Sequence, residues 1–427
     1  AEPALGDHQA IGGGVLGVDD IVGDAGDGAA TSPDGSVSLV ACSPPFIALR
    51  SYLPADHPDK DKEIGSEPDP ATFLDTLLGL TAEWGRVLAP WGSIAIELGD
   101  TFSGSGGENN LYTSGYSGGS TYNTQKPPGA VGTRGGEWPM AKSLALVPQL
   151  YAASLAYGRN ILTGQPSPAG QWRVRNMIVW HRPNPAVGAL GDKYRPCTSY
   201  ITVATRDSKR WFDLTAVRHP NPRDGEAGLT GTKAYLSGLA GGDSPQNPAG
   251  APPLDCWFDE WDGSHDTWTQ TTQPSSLAHY AMWPAKLAER LILSMCPAEV
   301  CTFCREPRRR IEKVEQIPTR PFNMNASTRQ GVGGLDSETR EARPATTLGW
   351  TDCGCGVPFT PGTVLDPFAG TGTTLAVADL HGRNAIGIDI DARNHDLYPA
   401  RRAEVARNLF GSPIPDPAQL DLFGAAS

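Results

Sequence analysis

Short apolar runs cut off by turn residues, and one apolar stripe at helical spacing, organise this chain. Val37-Ser-Leu-Val-Ala-Cys-Ser-Pro-Pro-Phe46 is a β-branched run closed by two prolines, which fix φ and withhold backbone donors. It predicts a strand whose C-terminal edge presents Ser43, the carbonyls around Pro44 and the ring of Phe46. Near the other end, Val364 and Leu365 supply a second buried run and Gly370 and Gly372 form a turn. Thr373 then opens a helix through Leu380, and Ile386-Gly-Ile388 makes the next strand. Leu287 and Leu291 mark the helical stripe, and a final helix is expected to run to about Leu409 before a Pro-rich end.

Two intervals lack such patterning. Ser103 to Gly136 is rich in Gly, Ser, Thr, Asn and Tyr and nearly devoid of aliphatic residues, so it cannot build a core and is expected to be a mobile loop beside the first strand. Residues 207–275 are polar, punctuated by Pro and Gly, and carry Trp211, Trp257, Trp261 and Trp268; packing onto a core is the expected use of most of these rings. No internal repeat is visible.

A strand, a glycine turn, a helix and a second strand closed by an acid make a nucleotide-type cofactor site. Asp389 lies 23 positions after Asp366, about the reach of one strand-helix-strand unit, where a carboxylate can accept both hydroxyls of a ribose. A dinucleotide fold is the rival, but its G-x-G-x-x-G frame needs a third glycine where Leu375 stands.

The string Asp366-Pro367-Phe368-Ala369-Gly370-Thr371-Gly372-Thr373-Thr374 resembles the S-adenosylmethionine-binding motif of DNA amino-methyltransferases almost letter for letter. Ser43-Pro44-Pro45-Phe46 resembles their catalytic motif, with Ser in the first place, the form typical of enzymes acting on the 4-amino group of cytosine. Enzymes acting on the 6-amino group of adenine more often carry Asp or Asn there, so adenine stays open. The resemblance implies a Rossmann-like α/β fold with a mostly parallel sheet in circularly permuted order, the catalytic half preceding the cofactor half as in the β group of the family. It also implies a cofactor pocket formed by Asp24, Asp366, Pro367, Phe368, Gly370, Gly372, Thr373 and Asp389.

The chemistry so implied fits the residue types. An amine on an aromatic base is a poor nucleophile because its lone pair is delocalised, so it must be held between acceptors while the methyl group approaches in line. Ser43 Oγ and the Pro44 carbonyl are suitable acceptors, and Phe46 offers a stacking face to a base swung out of the duplex. Carbon-5 cytosine methyltransferases use a cysteine nucleophile that follows a proline; Cys42 precedes Ser-Pro-Pro and reads as a buried structural thiol. His181 and His279 receive no catalytic role, since the amine can lose its proton after methyl transfer.

Further segments resemble the family in the same order. Val87–Asp100 looks like the strand after the catalytic one, entered through a turn at Pro90 to Gly92, and Trp172–Pro185 like the strand and loop walling the target-base pocket. His279–Leu293 looks like the helix leading into the cofactor motif, and Tyr398 with Arg401 and Arg402 like the helix after the acid-bearing strand.

Five of the eight cysteines crowd ahead of the cofactor motif. Cys301-x-x-Cys304 and Cys353-x-Cys355 can place four thiolates tetrahedrally about a structural zinc; reduced thiols or a disulfide are the alternatives, and Cys296 is an undecided neighbour. The expected organisation is a catalytic half at 17–206 with the loop 103–136, a target-recognition region at 207–275, a core helix at 276–295, a zinc-binding insertion at 296–356, a cofactor half at 357–412 and a tail at 413–427.

Composition adds limits. A net charge of −12 argues against a chain that coats nucleic acid indiscriminately, yet allows a basic cleft, for which Arg173, Arg175, Arg182, Lys193, Arg195, Arg305, Arg308, Arg309 and Arg310 are candidates. No run of eighteen apolar residues and no charged-then-apolar start occur, so a cytoplasmic protein with no membrane partner is expected. The expected partner is double-stranded DNA, modified site-specifically after base flipping as in restriction-modification or phage enzymes; a homodimer and a cognate restriction endonuclease stay open. A catalytically inactive DNA-binding or zinc interaction module is the reading from another class, and an RNA or protein amine is the remaining acceptor.

Overall fold

Every residue of Val37–Cys42 is buried, and its alternate side chains enter different cores: Leu39 and Ala41 one, Val40 and Cys42 the other. That two-sided burial is what a central parallel strand requires. The computed structural model describes residues 9–10, 17–49, 51–54, 56–103, 138–182, 194–218, 255, 283–314 and 345–411. Within them the strands are β1 (Gln9–Ala10), β2 (Val18–Val22), β3 (Val37–Cys42), β4 (Leu88–Leu98), β5 (Arg173–His181) and β6 (Thr198–Thr205). They continue with β7 (Val300–Cys301), β8 (Arg310–Val314), β9 (Ala345–Trp350), β10 (Phe359–Thr360), β11 (Thr363–Asp366) and β12 (Asn384–Asp389). The helices are α1 (Ala25–Ala30), α2 (Pro70–Val87), α3 (Val147–Tyr157), α4 (Ala285–Met295), α5 (Thr373–Leu380), α6 (Ala392–His395) and α7 (Tyr398–Phe410).

Eight strands form one sheet in the order β1-β2-β12-β11-β3-β4-β6-β5. The five from β2 to β4 run parallel, while β1, β6 and β5 are antiparallel to their neighbours. Buried residues of α1, α2 and α3 cover one face, and those of α4, α5 and α7 cover the other. Helix α2 starts cleanly because the Asp69 carboxylate accepts Thr72 N–H at 2.8 Å and Pro70 needs no donor partner in the first turn. The β7–β10 and β8–β9 pairs lie outside the main sheet.

Helix α5 spans Thr373–Leu380 as its sequence predicts, and the final helix ends at Phe410. Strand β4 differs from expectation: Leu88 already pairs with Val37, and Ser93 pairs with Leu39, so Pro90–Gly92 is a bulge inside the strand and not a turn into it. Gly92 permits this, since a Cβ there would meet the Ser38 carbonyl at 2.8 Å. Helix α4 begins at Ala285, because Pro284 caps it; residues 279–282, including His279, are outside the described part. Outside it too are all of the expected loop 103–136 except Ser103, most of 207–275 including Trp257, Trp261 and Trp268, residue Lys193, and the tail 413–427. Among the described residues no helix is long and apolar enough to cross a membrane.

Candidate active site

Pro44 and Pro45 end β3 at the sheet's C-terminal edge, and register decides what Ser43 meets there. Cys42 pairs with Ile96 of β4, so the next step along both strands sets Ser43 beside Glu97. The Ser43 hydroxyl donates to Glu97 Oε2 at 2.5 Å. Glu97 is 2% exposed, and burial raises its carboxyl above the ordinary range, opposed by the Ser199 and Ser43 hydroxyls and by the Arg182 guanidinium. The Phe46 ring seats against Gly99, where a Cβ would come within 2.5 Å of it. Ala48, in left-handed backbone at φ 54°, donates its N–H to the Gly65 carbonyl at 2.7 Å and pins the loop that carries Phe46.

The glycine turn is built around Asp366. Its Oδ1 accepts Phe368 N–H at 3.0 Å and its Oδ2 accepts the Thr374 hydroxyl at 2.5 Å, while the Trp283 indole N–H donates to that hydroxyl oxygen at 3.2 Å. Burial pushes the Asp366 carboxyl up to about 7, with Asp389 and Asp20 adding to the rise and the two hydrogen bonds opposing it. Gly372, at φ 85°, takes a conformation disfavoured for L side chains, and a Cβ there would strike the Tyr398 ring at 2.5 Å. Arg401, fully buried, donates to the Thr373 hydroxyl at 3.0 Å and so fixes the start of α5 from α7.

Asp389 closes β12. Its Oδ2 accepts Gly370 N–H at 2.8 Å, its Oδ1 accepts Asp391 N–H at 2.8 Å and the Asn394 amide at 3.0 Å, and its carbonyl accepts Gly23 N–H at 2.9 Å. Asp24 caps α1, accepting Gly26 N–H at 2.7 Å. Asp20, which sequence reasoning passed over, is buried on β2 and bonded to His395 Nδ1 at 2.8 Å.

All these groups stand at the C-terminal ends of adjacent parallel strands. From β3 the chain proceeds outward to β4, whereas from β11 it proceeds the opposite way to β12, so strand order reverses between β3 and β11. A ligand crevice opens at such a reversal. On one side lies the Ser43–Glu97 pair, on the other the glycine turn; Asp20, Asp366 and Asp389 are close enough to influence one another's ionisation. With Asp389 beside the glycine turn and Asp20 on the neighbouring strand, this edge suits a cationic ligand better than a pyrophosphate.

Sequence reasoning missed Glu97, although one acid inside the apolar run Ser93-Ile-Ala-Ile-Glu-Leu was a usable signal. Three of the proposed cleft arginines are already occupied within the fold: Arg308 pairs with Glu299 at 2.7 Å, Arg309 with Glu306 at 3.8 Å and Arg310 with Asp213 at 2.7 Å. Arg182 lies by Glu97 and donates to the Thr198 carbonyl at 3.0 Å. Cys42 is fully buried, with its thiol raised well above the ordinary range by burial. Elsewhere, the sulfurs of Cys301, Cys304, Cys353 and Cys355 all lie within 4.8 Å of one another and could hold a metal ion, whereas Cys296 is buried in the core outside this group.

A family model described as DNA methylase matches residues 37–299 and 360–398. The Type II methyltransferase M.SfiI of Streptomyces fimbriatus is 28% identical over 200 residues, covering 47% of this chain and 38% of that protein. The Type II methyltransferase M.Cfr9I of Citrobacter freundii is 24% identical over 264 residues, covering 61% of this chain and 67% of its own length. Among solved structures, the PvuII DNA methyltransferase, described as cytosine-N4-specific, aligns over 93% of this chain and 88% of its own with a TM-score of 0.43 and 14% identity.

Proposed function

The chain belongs to the DNA methylase family, and from that premise we propose that it transfers the methyl group of S-adenosylmethionine to an exocyclic base amine in double-stranded DNA, with the 4-amino group of cytosine as acceptor. The observation that carries this reading is the Ser43–Glu97 pair facing an acid-lined glycine turn across the β3–β11 reversal. S-adenosylmethionine bears a positive sulfonium, which suits an edge carrying Asp389 and Asp20. Phe368, Gly370, Gly372 and Thr373 would let the cofactor approach backbone, with Pro367 setting the turn and Asp389 and Asp24 at the rim.

Ser43 Oγ, polarised by donating to Glu97, would accept one amine hydrogen and the Pro44 carbonyl the other, aligning the nitrogen lone pair with the methyl group. Pro45 holds the loop and Phe46 stacks on the flipped base. As the N–C bond forms and the C–S bond breaks, nitrogen becomes acidic; its proton can pass by way of Ser43 to Glu97, whose raised affinity for protons suits that task. Serine in first place is the support for cytosine over adenine, and the Type II relatives support site-specific methylation in a restriction-modification setting.

The test is incubation with unmethylated DNA and isotopically labelled S-adenosylmethionine, digestion to nucleosides and mass spectrometry. Label on cytosine N4 is the expected outcome; label on adenine N6 would replace the target base, and absence of label with intact cofactor binding would overturn the DNA substrate.

A further inference from the structure

We propose that Cys301, Cys304, Cys353 and Cys355 bind one zinc ion that ties together the two ends of the insertion between α4 and β11, away from the chemistry. In a tetrahedral site with Zn–S bonds near 2.3 Å, thiolate sulfurs stand about 3.8 Å apart; the four sulfurs here already lie within 4.8 Å of one another. None is in a disulfide.

The backbone is shaped for the same end. Cys301, on β7, opens a tight turn in which its carbonyl accepts Arg305 N–H at 3.1 Å, and Arg305 takes left-handed backbone at φ 59°. The opposing pair is separated by one residue, Gly354, at φ 75°, and followed by Gly356 at φ 67°. Those two conformations, disfavoured for side-chain-bearing residues, bend Cys353 and Cys355 toward a common centre despite their short spacing. Thr302 fastens the first turn to the second segment through its hydroxyl, 2.7 Å from the Pro358 carbonyl.

Among the described residues, strand pairings and ion pairs hold the insertion more than apolar packing does. Among its described residues Cys296 enters the main core, and Val300 joins Ala89, Trp91 and Trp211 in a small separate cluster. An apolar cluster that size leaves a need for a metal or disulfide staple. The indole N–H groups of Trp91 and Trp211 donate to the Arg305 and Arg308 carbonyls at 3.1 and 2.9 Å, so the thiol turn is docked on the β4 bulge. Regular strand resumes at Ser93, four positions before Glu97, about 13 Å at 3.3 Å per residue, so the bulge on which the thiol turn docks lies toward the opposite end of β4 from the methyl-transfer edge. Four thiolates also leave no open coordination position, the mark of a structural zinc.

Full-length protein, purified without chelator, is expected to carry one zinc per chain by elemental mass spectrometry, released by a mercurial that titrates thiols. Cobalt exchanged into the site should give the absorption of tetrahedral cobalt thiolate. Cys353→Ser and Cys355→Ser should each lower occupancy at least tenfold, whereas Cys197→Ser should leave it unchanged. Should a serine variant fail to fold, the wild-type stoichiometry and cobalt spectrum still decide. No zinc uptake by reduced wild-type protein, zinc retained in both variants, or Cys301–Cys304 and Cys353–Cys355 disulfides in the freshly isolated chain would each overturn the proposal.

Discussion

A carboxylate sealed behind a serine hydroxyl sets the expectations for single residues. Ser43→Ala removes the acceptor and Glu97→Gln keeps its shape while abolishing proton uptake. Each should lower kcat by about 10²-fold, the scale of acid–base assistance, with the S-adenosylmethionine Kd, read by calorimetry, within a factor of three of wild type. An equal loss of cofactor affinity would place the pair in binding instead. Asp366 makes a pH prediction. Its folded value, about 7, lies above the ordinary 3.8, so the folded chain holds a proton that the unfolded chain releases in that interval. Stability from this group is therefore full below about pH 4 and is lost as pH rises toward 7, by on the order of 4 kcal/mol across the interval. Asp366→Asn can still accept Phe368 N–H and donate to Thr374 Oγ1, but does not titrate. Its Tm, followed from pH 5 to 8 without cofactor, should rise relative to wild type as pH increases; parallel curves would rule out a raised Asp366.

At the scale of elements, the glycine turn is held between helices from both faces. Trp84 of α2, fully buried, meets Phe368 edge to face at 6.2 Å, and Tyr398 of α7 closes on Gly372 from the other side. Trp84→Ala should cost about 3–5 kcal/mol in denaturant unfolding and weaken cofactor binding as Phe368 loses its support. Gly372→Ala combines left-handed strain with a clash on Tyr398 and should cost about 2–4 kcal/mol; a neutral result would mean that α7 can shift. This division also explains what could be read from the chain. β3, β11, α5 and β12 announce themselves through local spacing and turn residues, and the four thiols through the short gaps within each pair. Glu97 was hidden because its partner depends on the register between β3 and β4, 54 positions apart. The ion pair of Arg310 is hidden for the same reason, since Asp213 lies 97 positions away. The bulge at Pro90–Gly92 could not be told from a turn without knowing that Leu88 pairs before it and Ser93 after it.

The whole molecule is interleaved: β2, from the start of the chain, lies beyond β12, from near its end, and β11 and β12 fill the gap between β2 and β3. Neither end therefore has a complete sheet. A fragment ending at residue 330 would keep β2, β3 and β4 but leave a gap of two missing strands between β2 and β3, exposing the edges that β11 and β12 should pair. A fragment beginning at residue 331 would hold β11, β12, α5 and α7 without the α4 face on which α5 packs. Expressed alone, each should lack a cooperative unfolding transition. Expressed together, the two should co-purify, because the parallel pairings β12–β2 and β11–β3 and the two thiol pairs all cross the cut. S-adenosylmethionine binding should return in the reconstituted pair, and chelation of metal should weaken the association without abolishing it, since the strand pairings remain. Cooperative melting of the first fragment by itself would show that the catalytic half is an independent unit, contrary to the strand order.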